Sequence, residues 1–393
     1  MIRTVLAALV IALLVVTPAA AFHRKTDVLV QITGDGGGAI ADAHWSGFRY
    51  VLFDSDANLT GNGNTTRQVF LYDLHEHDLT GDAAIYQVTA ASDDNRHGDA
   101  GMRAHAIVYD ALPGGIGARQ LLAVDRRNGA KHAITHGTAD SVNVDVDDSG
   151  RWAVFESAAD LLGGGAAAGT QIYRLDLHHA DPACPFPCPA NGNLGLTRVT
   201  NKAGTSRNAA TSRRGKSIAF ESDADLVSPS VAGMQVYVFD ADGTLARLSS
   251  GPLPSHDATI SRQGQVVAFE SDDASGGTQI TLYKRATATS LAVTSVPGAH
   301  STRPSFEATG RALVFTSNAD LLQNGSTGTQ IFRYDVRAGT LVQVTHASAI
   351  GQAAFAAGSF VTFVSSSDLL GNGSTGLDLY LVNLFKLGAA TVP

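Results

Sequence analysis

Several things are scarce in this chain, and each scarcity removes an option. Only 2 cysteines occur in 393 residues, too few for a disulfide framework or a thiolate metal cluster. Charged residues make up 16% of the chain, lysine is rare, and the net charge is -8. With no cluster of basic residues, nucleic acid and anionic membranes are poor partners. Beyond the first residues no apolar run approaches the ~18 residues of a membrane helix. No window after that point shows sustained helical periodicity. Catalytic signatures are missing too: there is no Gly-x-Ser-x-Gly elbow and no phosphate-binding loop. His75-Glu76-His77-Asp78 has the wrong spacing for a zinc-protease helix and reads as loop.

The chain opens with Arg3, a short apolar stretch from Val5 to Val16, then Pro18 and Ala19-Ala20-Ala21. That is the pattern of a secretory signal peptide cleaved after Ala21, so the protein is expected in the periplasm or secreted. In an oxidising compartment Cys184 and Cys188, in "ACPFPCPA", are expected to close a small disulfide loop. A redox or metal pair fits less well, because the nearest histidines, His178 and His179, bring no third ligand of matching spacing.

What is abundant is repetition. A word ending in Phe-x-Ser recurs as "VLFDSDANL" (51–59), "AVFESAADL" (153–161), "IAFESDADL" (218–226), "VAFESDDAS" (267–275), "LVFTSNADL" (313–321) and "VTFVSSSDL" (361–369), with a degenerate copy, "IVYDA", at 107–111. The aromatic markers Phe53, Tyr109, Phe155, Phe220, Phe269, Phe315 and Phe363 define seven units. Before each marker stands a short strand and a Gly turn. After it come a glycine-rich loop, a strand such as "QIYRLDL" (171–177) or "QIFRYDV" (330–336), and a last strand ending in Thr or Ser. Runs of β-branched and aromatic residues bounded by Gly, Asn and Asp are strands. Four short strands at this period make a propeller blade.

The two ends are complementary. Residues 28–33, "VLVQIT", form a fourth-strand word lacking the first three, whereas the last unit stops after "DLYLVNL" (378–384), a third-strand word. A closed ring results if the first segment supplies the outermost strand of the last blade, which leaves no exposed edge there. The expectation is therefore an all-β, seven-bladed propeller over residues 27–385 with a C-terminal tail at 386–393. Six or eight blades stay open, because the second unit is degenerate.

The order "SRRGKSIAFESDADL" (212–226) followed by "QVYVFDADGTLARLS" (235–249) resembles the repeats of TolB-like bacterial β-propellers, along nearly the whole chain after the leader. Where that family carries Asp before Ile-Tyr, this chain has Gln68, Gln171, Gln235, Gln279 and Gln330, and only Asp378 keeps the acid. The Gln amides are expected to satisfy backbone groups of the preceding loop. The resemblance implies an exported propeller of this blade type.

Blade-to-blade differences point to the channel. First strands of such blades line it, with side chains alternating toward and away from it. That alternation selects Asp42 and His44, then Asn143, Asp145 and Asp147, then Asn208, Asp257, Arg303 and Glu307 as a polar mouth. His97, His256 and His300 fall in loops leading to first strands. "NVDVDDSG" (143–150) has part of a calcium-loop pattern without its distal Glu, so blade structure explains it better. The recurring Glu156, Glu221 and Glu270, with Asp54, are assigned to each blade's own hydrogen bonding rather than to catalysis. The expected role is a binding or scaffold module for a protein or a small polar ligand, monomeric and without a cofactor. The alternative is a propeller lyase or hydrolase using Asp, His and Arg at the channel mouth.

Overall fold

A computed structural model describes residues 28–34, 39–80, 84–89, 93–178, 195–307, 309–346, 354–357, 359–387 and 392. The expected signal peptide and the Cys184–Cys188 segment fall outside the described residues.

Seven four-stranded antiparallel sheets form the chain. Six are sequential: β2–β5 (Ile40–Gln87), β6–β9 (Asp94–Ala133), β10–β13 (Ser141–Arg198), β14–β17 (Ser206–Arg247), β18–β21 (Ser255–Ala292) and β22–β25 (Ser301–Gln343). We number these blades 1 to 6. The seventh has the order β26 (Ala354–Ala357), β27 (Phe360–Ser365), β28 (Asp378–Asn383) and then β1 (Leu29–Gln31). Leu29 pairs with Val382 and Gln31 with Tyr380, so the first strand is the outermost strand of the last blade and the ring is closed.

A repeated hydroxyl shows that β1 does a fourth strand's work. In each complete blade the Thr or Ser after the last strand accepts the amide that follows the third strand's Gln: Thr89 from Val69, Thr135 from Leu121, Thr200 from Ile172, Ser249 from Val236, Thr294 from Ile280 and Thr345 from Ile331. In blade 7 the same bond runs from Leu379 N to Thr33 Oγ1 at 2.9 Å, across 346 residues of sequence. The glutamines that open third strands behave as expected. Gln330 Nε2 donates to Thr327 O at 2.7 Å and its Oε1 accepts from Thr345.

The cores lie between blades. Each combines residues of neighbouring sheets, as where Phe53 and Phe70 of blade 1 meet Phe360 and Leu379 of blade 7. Paired rings span the second and third strands: Phe53–Phe70, Phe155–Tyr173, Phe220–Tyr237, Phe315–Phe332 and Phe363–Tyr380, with centroids 5.6–5.8 Å apart. Blade 2 places Leu122 opposite Tyr109, and blade 5 places Thr281 opposite Phe269.

Two short helices interrupt the pattern. Leu74–Thr80 is helical where the sequence reads as loop. It forms because Asp73 Oδ1 accepts the amides of His75 and Glu76, an N-cap supplied by the end of a strand. Leu384–Leu387 repeats this with Asn383 as cap. Val392 is buried and pairs in parallel with Thr345 beside blade 6.

Candidate functional site

A β-bulge shapes every complete inner strand. Pairing in blades 1 to 6 slips at the same place: after Ala41, Arg96, Val142, Arg207, His256 and Thr302. In blades 2 to 6 the bulged residue has positive φ: His97 (49°), Asn143 (53°), Asn208 (50°), Asp257 (47°) and Arg303 (56°). Asn, Asp and His tolerate this left-handed conformation best among L-residues, and four of the five are of those types. The bulge leaves one backbone amide without a partner in its own ladder.

The recurring carboxylates answer that need. Glu156 accepts the amide of Asn208 at 2.9 Å, Glu221 that of Asp257 at 2.5 Å and Glu270 that of Arg303 at 2.6 Å. Asp54 does the same for His97 at 3.2 Å. Each carboxylate therefore bonds to the following blade in addition to partners in its own, such as Arg67 for Asp54 and Arg207 for Glu221. A second tier lies deeper: Asp99 accepts from Val146, Asp145 from Thr211 and Asp147 from Arg214, again one blade onward.

The bulged side chains turn back to the carboxylate of their own blade. His97 Nδ1 meets Asp110, and Asn143 Nδ2 donates to Glu156 at 2.6 Å. Asn208 Nδ2 donates to Glu221 and, across the blade boundary, to Asp257 Oδ1, both at 3.0 Å. In blade 6 that position is Thr316. All five bulged residues line one cavity of about 500 Å3 along the channel, in company with His44, Trp45, Asp145 and Glu307. We call the end where they gather, at the start of the inner strands, the near mouth.

Most of the residues selected by alternation thus share this cavity. Asp42 lies in the β2 bulge. Asp147 does not line the channel. It is buried in the turn after β10, accepting amides from Arg151 and Trp152, and Asp148 faces the channel in its place. Glu307 is buried at the equivalent turn but reaches the cavity. His97 and His256 lie within strands β6 and β18 rather than in loops. His300 is away from the mouth, bridging Thr278. At the far end Arg262 of blade 5 crosses to ion-pair with Asp148 of blade 3.

Electrostatics distinguish blade 5. His256 is raised to about 9, chiefly by the Asp257 carboxylate beside its ring, and His256 in turn lowers Asp257. Burial pushes Glu270 up to about 7, and burial raises Glu156 and Glu221 as well. Deeper in the channel, burial pushes Asp145 up to about 7. His97 meets Asp110 within blade 2 and His256 meets Glu270 within blade 5, while Asn208 reaches Asp257 across the blade boundary.

Neither a protein-family model nor a curated protein matches the chain. Solved structures do. The β-propeller domain of the Trilobed protease from Pyrococcus furiosus matches with a TM-score of 0.62 at 9% identity, covering 89% of this chain and 95% of that one. An oligogalacturonate lyase from Vibrio parahaemolyticus matches with a TM-score of 0.58 at 12% identity, covering 90% and 93%. TolB from Acinetobacter baumannii is 17% identical with a TM-score of 0.46, and the chain spans 63% of its length. These are likenesses of fold. The seven-bladed propeller expected from the TolB-like repeats is the architecture found. Among the described residues no helix is long and apolar enough to cross a membrane.

Proposed function

We propose that this is an exported binding propeller that holds a small polar ligand, or a polar segment of a protein partner, in the near mouth of its channel. One observation carries the reading. At five equivalent positions, where the backbone is the same, the side chains are His97, Asn143, Asn208, Asp257 and Arg303, and all five face one cavity. Positive φ favours Asn, Asp and His at these positions, but it gives no reason for Arg303 or for which of the three types each blade carries. Two amides, an imidazole, a carboxylate and a guanidinium suit a ligand rich in hydroxyls with at least one carboxylate.

The test is a thermal-shift screen of sugar acids, amino acids and short oligosaccharides against the full chain and its Arg303→Ala and Asn208→Ala variants. At least one compound raises Tm in the parent and fails to do so in both variants. Hits that shift parent and variants alike would place binding elsewhere. The second reading, an enzyme, rests on His256 lying 3.6 Å from Asp257 and from Glu270, a set with the parts for proton transfer. It requires turnover of a hit compound, lost in His256→Gln.

A further inference from the structure

Blade 5 differs from its neighbours in a way the ring of bulged residues does not explain. The residue before the bulge, the bulged residue and the residue paired with the first across the ladder are Arg96, His97 and Asp110 in blade 2. They are Arg207, Asn208 and Glu221 in blade 4, and Thr302, Arg303 and Thr316 in blade 6. In blade 4 Arg207 neutralises Glu221 directly, at 2.5 Å. In blade 5 the three are His256, Asp257 and Glu270, all of them metal-ligand types. Consecutive strand residues ordinarily point to opposite faces. Here the bulge and the positive φ of Asp257 let His256 and Asp257 converge on Glu270.

From that convergence we infer that His256, Asp257 and Glu270 form a binding site for one divalent transition-metal ion of the zinc or manganese type. Their ligand atoms lie within 4.8 Å of one another, and His256 Nδ1 is 3.6 Å from both Asp257 Oδ2 and Glu270 Oε2. Ligands held ~2.1 Å from a shared tetrahedral ion stand roughly 3.4 Å apart.

The second atom of every ligand is already committed, which is what supports a site over an accidental cluster. His256 Nε2 meets Asp272 Oδ1 at 3.1 Å. Asp257 Oδ1 accepts Asn208 Nδ2 at 3.0 Å, and Glu270 Oε1 accepts Arg303 N at 2.6 Å. That leaves Nδ1, Oδ2 and Oε2 facing one point. A ligating histidine whose other nitrogen is held by a carboxylate, with carboxylates themselves hydrogen-bonded, is the outer-shell arrangement that orients metal ligands. One imidazole with two carboxylates suits zinc or manganese. Calcium would demand six to eight oxygens, and a soft-metal site would need sulfur. Three protein ligands leave a coordination position open, and the exposure of Asp257 places that opening on the channel. A carboxylate ligand in the mouth would then lie between the ion and Arg303. That last step rests on the reading of the near mouth as the binding site; the metal site itself does not.

The full chain, stripped with chelator and dialysed, is titrated with Mn2+ alone, following free Mn2+ by electron paramagnetic resonance, and with Zn2+ alone by calorimetry. One saturable site per chain is expected, weakened at least tenfold in Asp257→Asn and in His256→Gln. It should be unchanged in His132→Gln, an exposed histidine on β9. Asparagine tolerates the left-handed backbone at 257, so that variant keeps its fold, checked by circular dichroism. Absence of a saturable site, or affinity equal to the parent's in the two blade 5 variants, overturns the inference. The outcomes stay separable from those of the ligand screen. Metal binding with hits indifferent to Arg303→Ala would sink the ligand reading alone, and the reverse result would sink the metal alone.

Discussion

At the residue scale the bulge is what organises the channel. It turns one amide per blade toward the preceding blade, and a carboxylate is buried to receive it. Burying a carboxylate favours its neutral form unless hydrogen bonds compensate, and Asp145 shows the cost most clearly. Its ordinary value is 3.8, and burial pushes it up to about 7, with Asp147 and Asp148 adding like charge. Asp99 is raised in the same sense, by burial first and then by Asp145. A carboxyl whose folded-state value is raised keeps its proton longer in the folded chain than in the unfolded one. The stability that this carboxyl contributes is therefore full below about pH 4 and is lost as pH rises through about 7. Thermal melts in chelator should show Tm declining from pH 5 to pH 8. Asp145→Asn, whose carbonyl still accepts Thr211 N, should flatten that decline and be the more stable protein at pH 8. An unchanged slope would mean that Asp145 titrates normally.

The bulge is also where reading by alternation stopped working. Asn143, Asn208, Asp257 and Arg303 were legible as odd members of a repeating strand, because a residue that differs between units stands out against those that recur. Two-residue alternation carried past the bulge then put Asp147 in the channel, whereas its carboxylate holds the following turn. The same slip hid the company of His256, since neighbours in sequence are assumed to face apart. His97 was hidden by the degeneracy of its unit. The signal that could have revealed it is its spacing of 13 residues before Asp110, the same as Asn143 to Glu156 and Asn208 to Glu221.

At the element scale the blades were legible because their structural residues recur. Phe-x-Ser, the strand-opening Gln and the terminal Thr or Ser each perform one task per blade, and a task repeated seven times leaves a period in the sequence. The helix at Leu74–Thr80 left none. It depends on Asp73, whose equivalents Asp176 and Asp335 accept following amides in turns instead of capping a helix. The paired rings are the clearest energetic element. Phe315 is fully buried and stacks on Phe332, so Phe315→Ala should cost about 3–5 kcal/mol in denaturant unfolding, with a cavity left between blades. A cost below about 1 kcal/mol would mean that the ring does not pack there.

For the whole molecule, closure is the decisive property. Thr33 Oγ1 receives Leu379 N and donates to Asp378 Oδ1 at 3.2 Å, tying the first strand to the last blade. Thr33→Ala leaves that buried amide unpaired and should cost about 1–3 kcal/mol. Hydrogen exchange should show the loss as faster exchange concentrated in β1 and β28. Protection unchanged in both strands would mean that the ring does not close through this pair. Closure also holds the inner strands in a ring, and only a ring brings residues more than two hundred positions apart, such as His97 and Arg303, to one opening.

Recognition at that opening is the central claim, and calorimetry on the strongest compound from the ligand screen tests it most directly. Affinity should fall at least tenfold in Arg303→Ala and in Asn208→Ala. It should be unchanged in Arg214→Ala, which alters an exposed arginine in the turn after β14. Equal affinity in all four proteins would contradict the account.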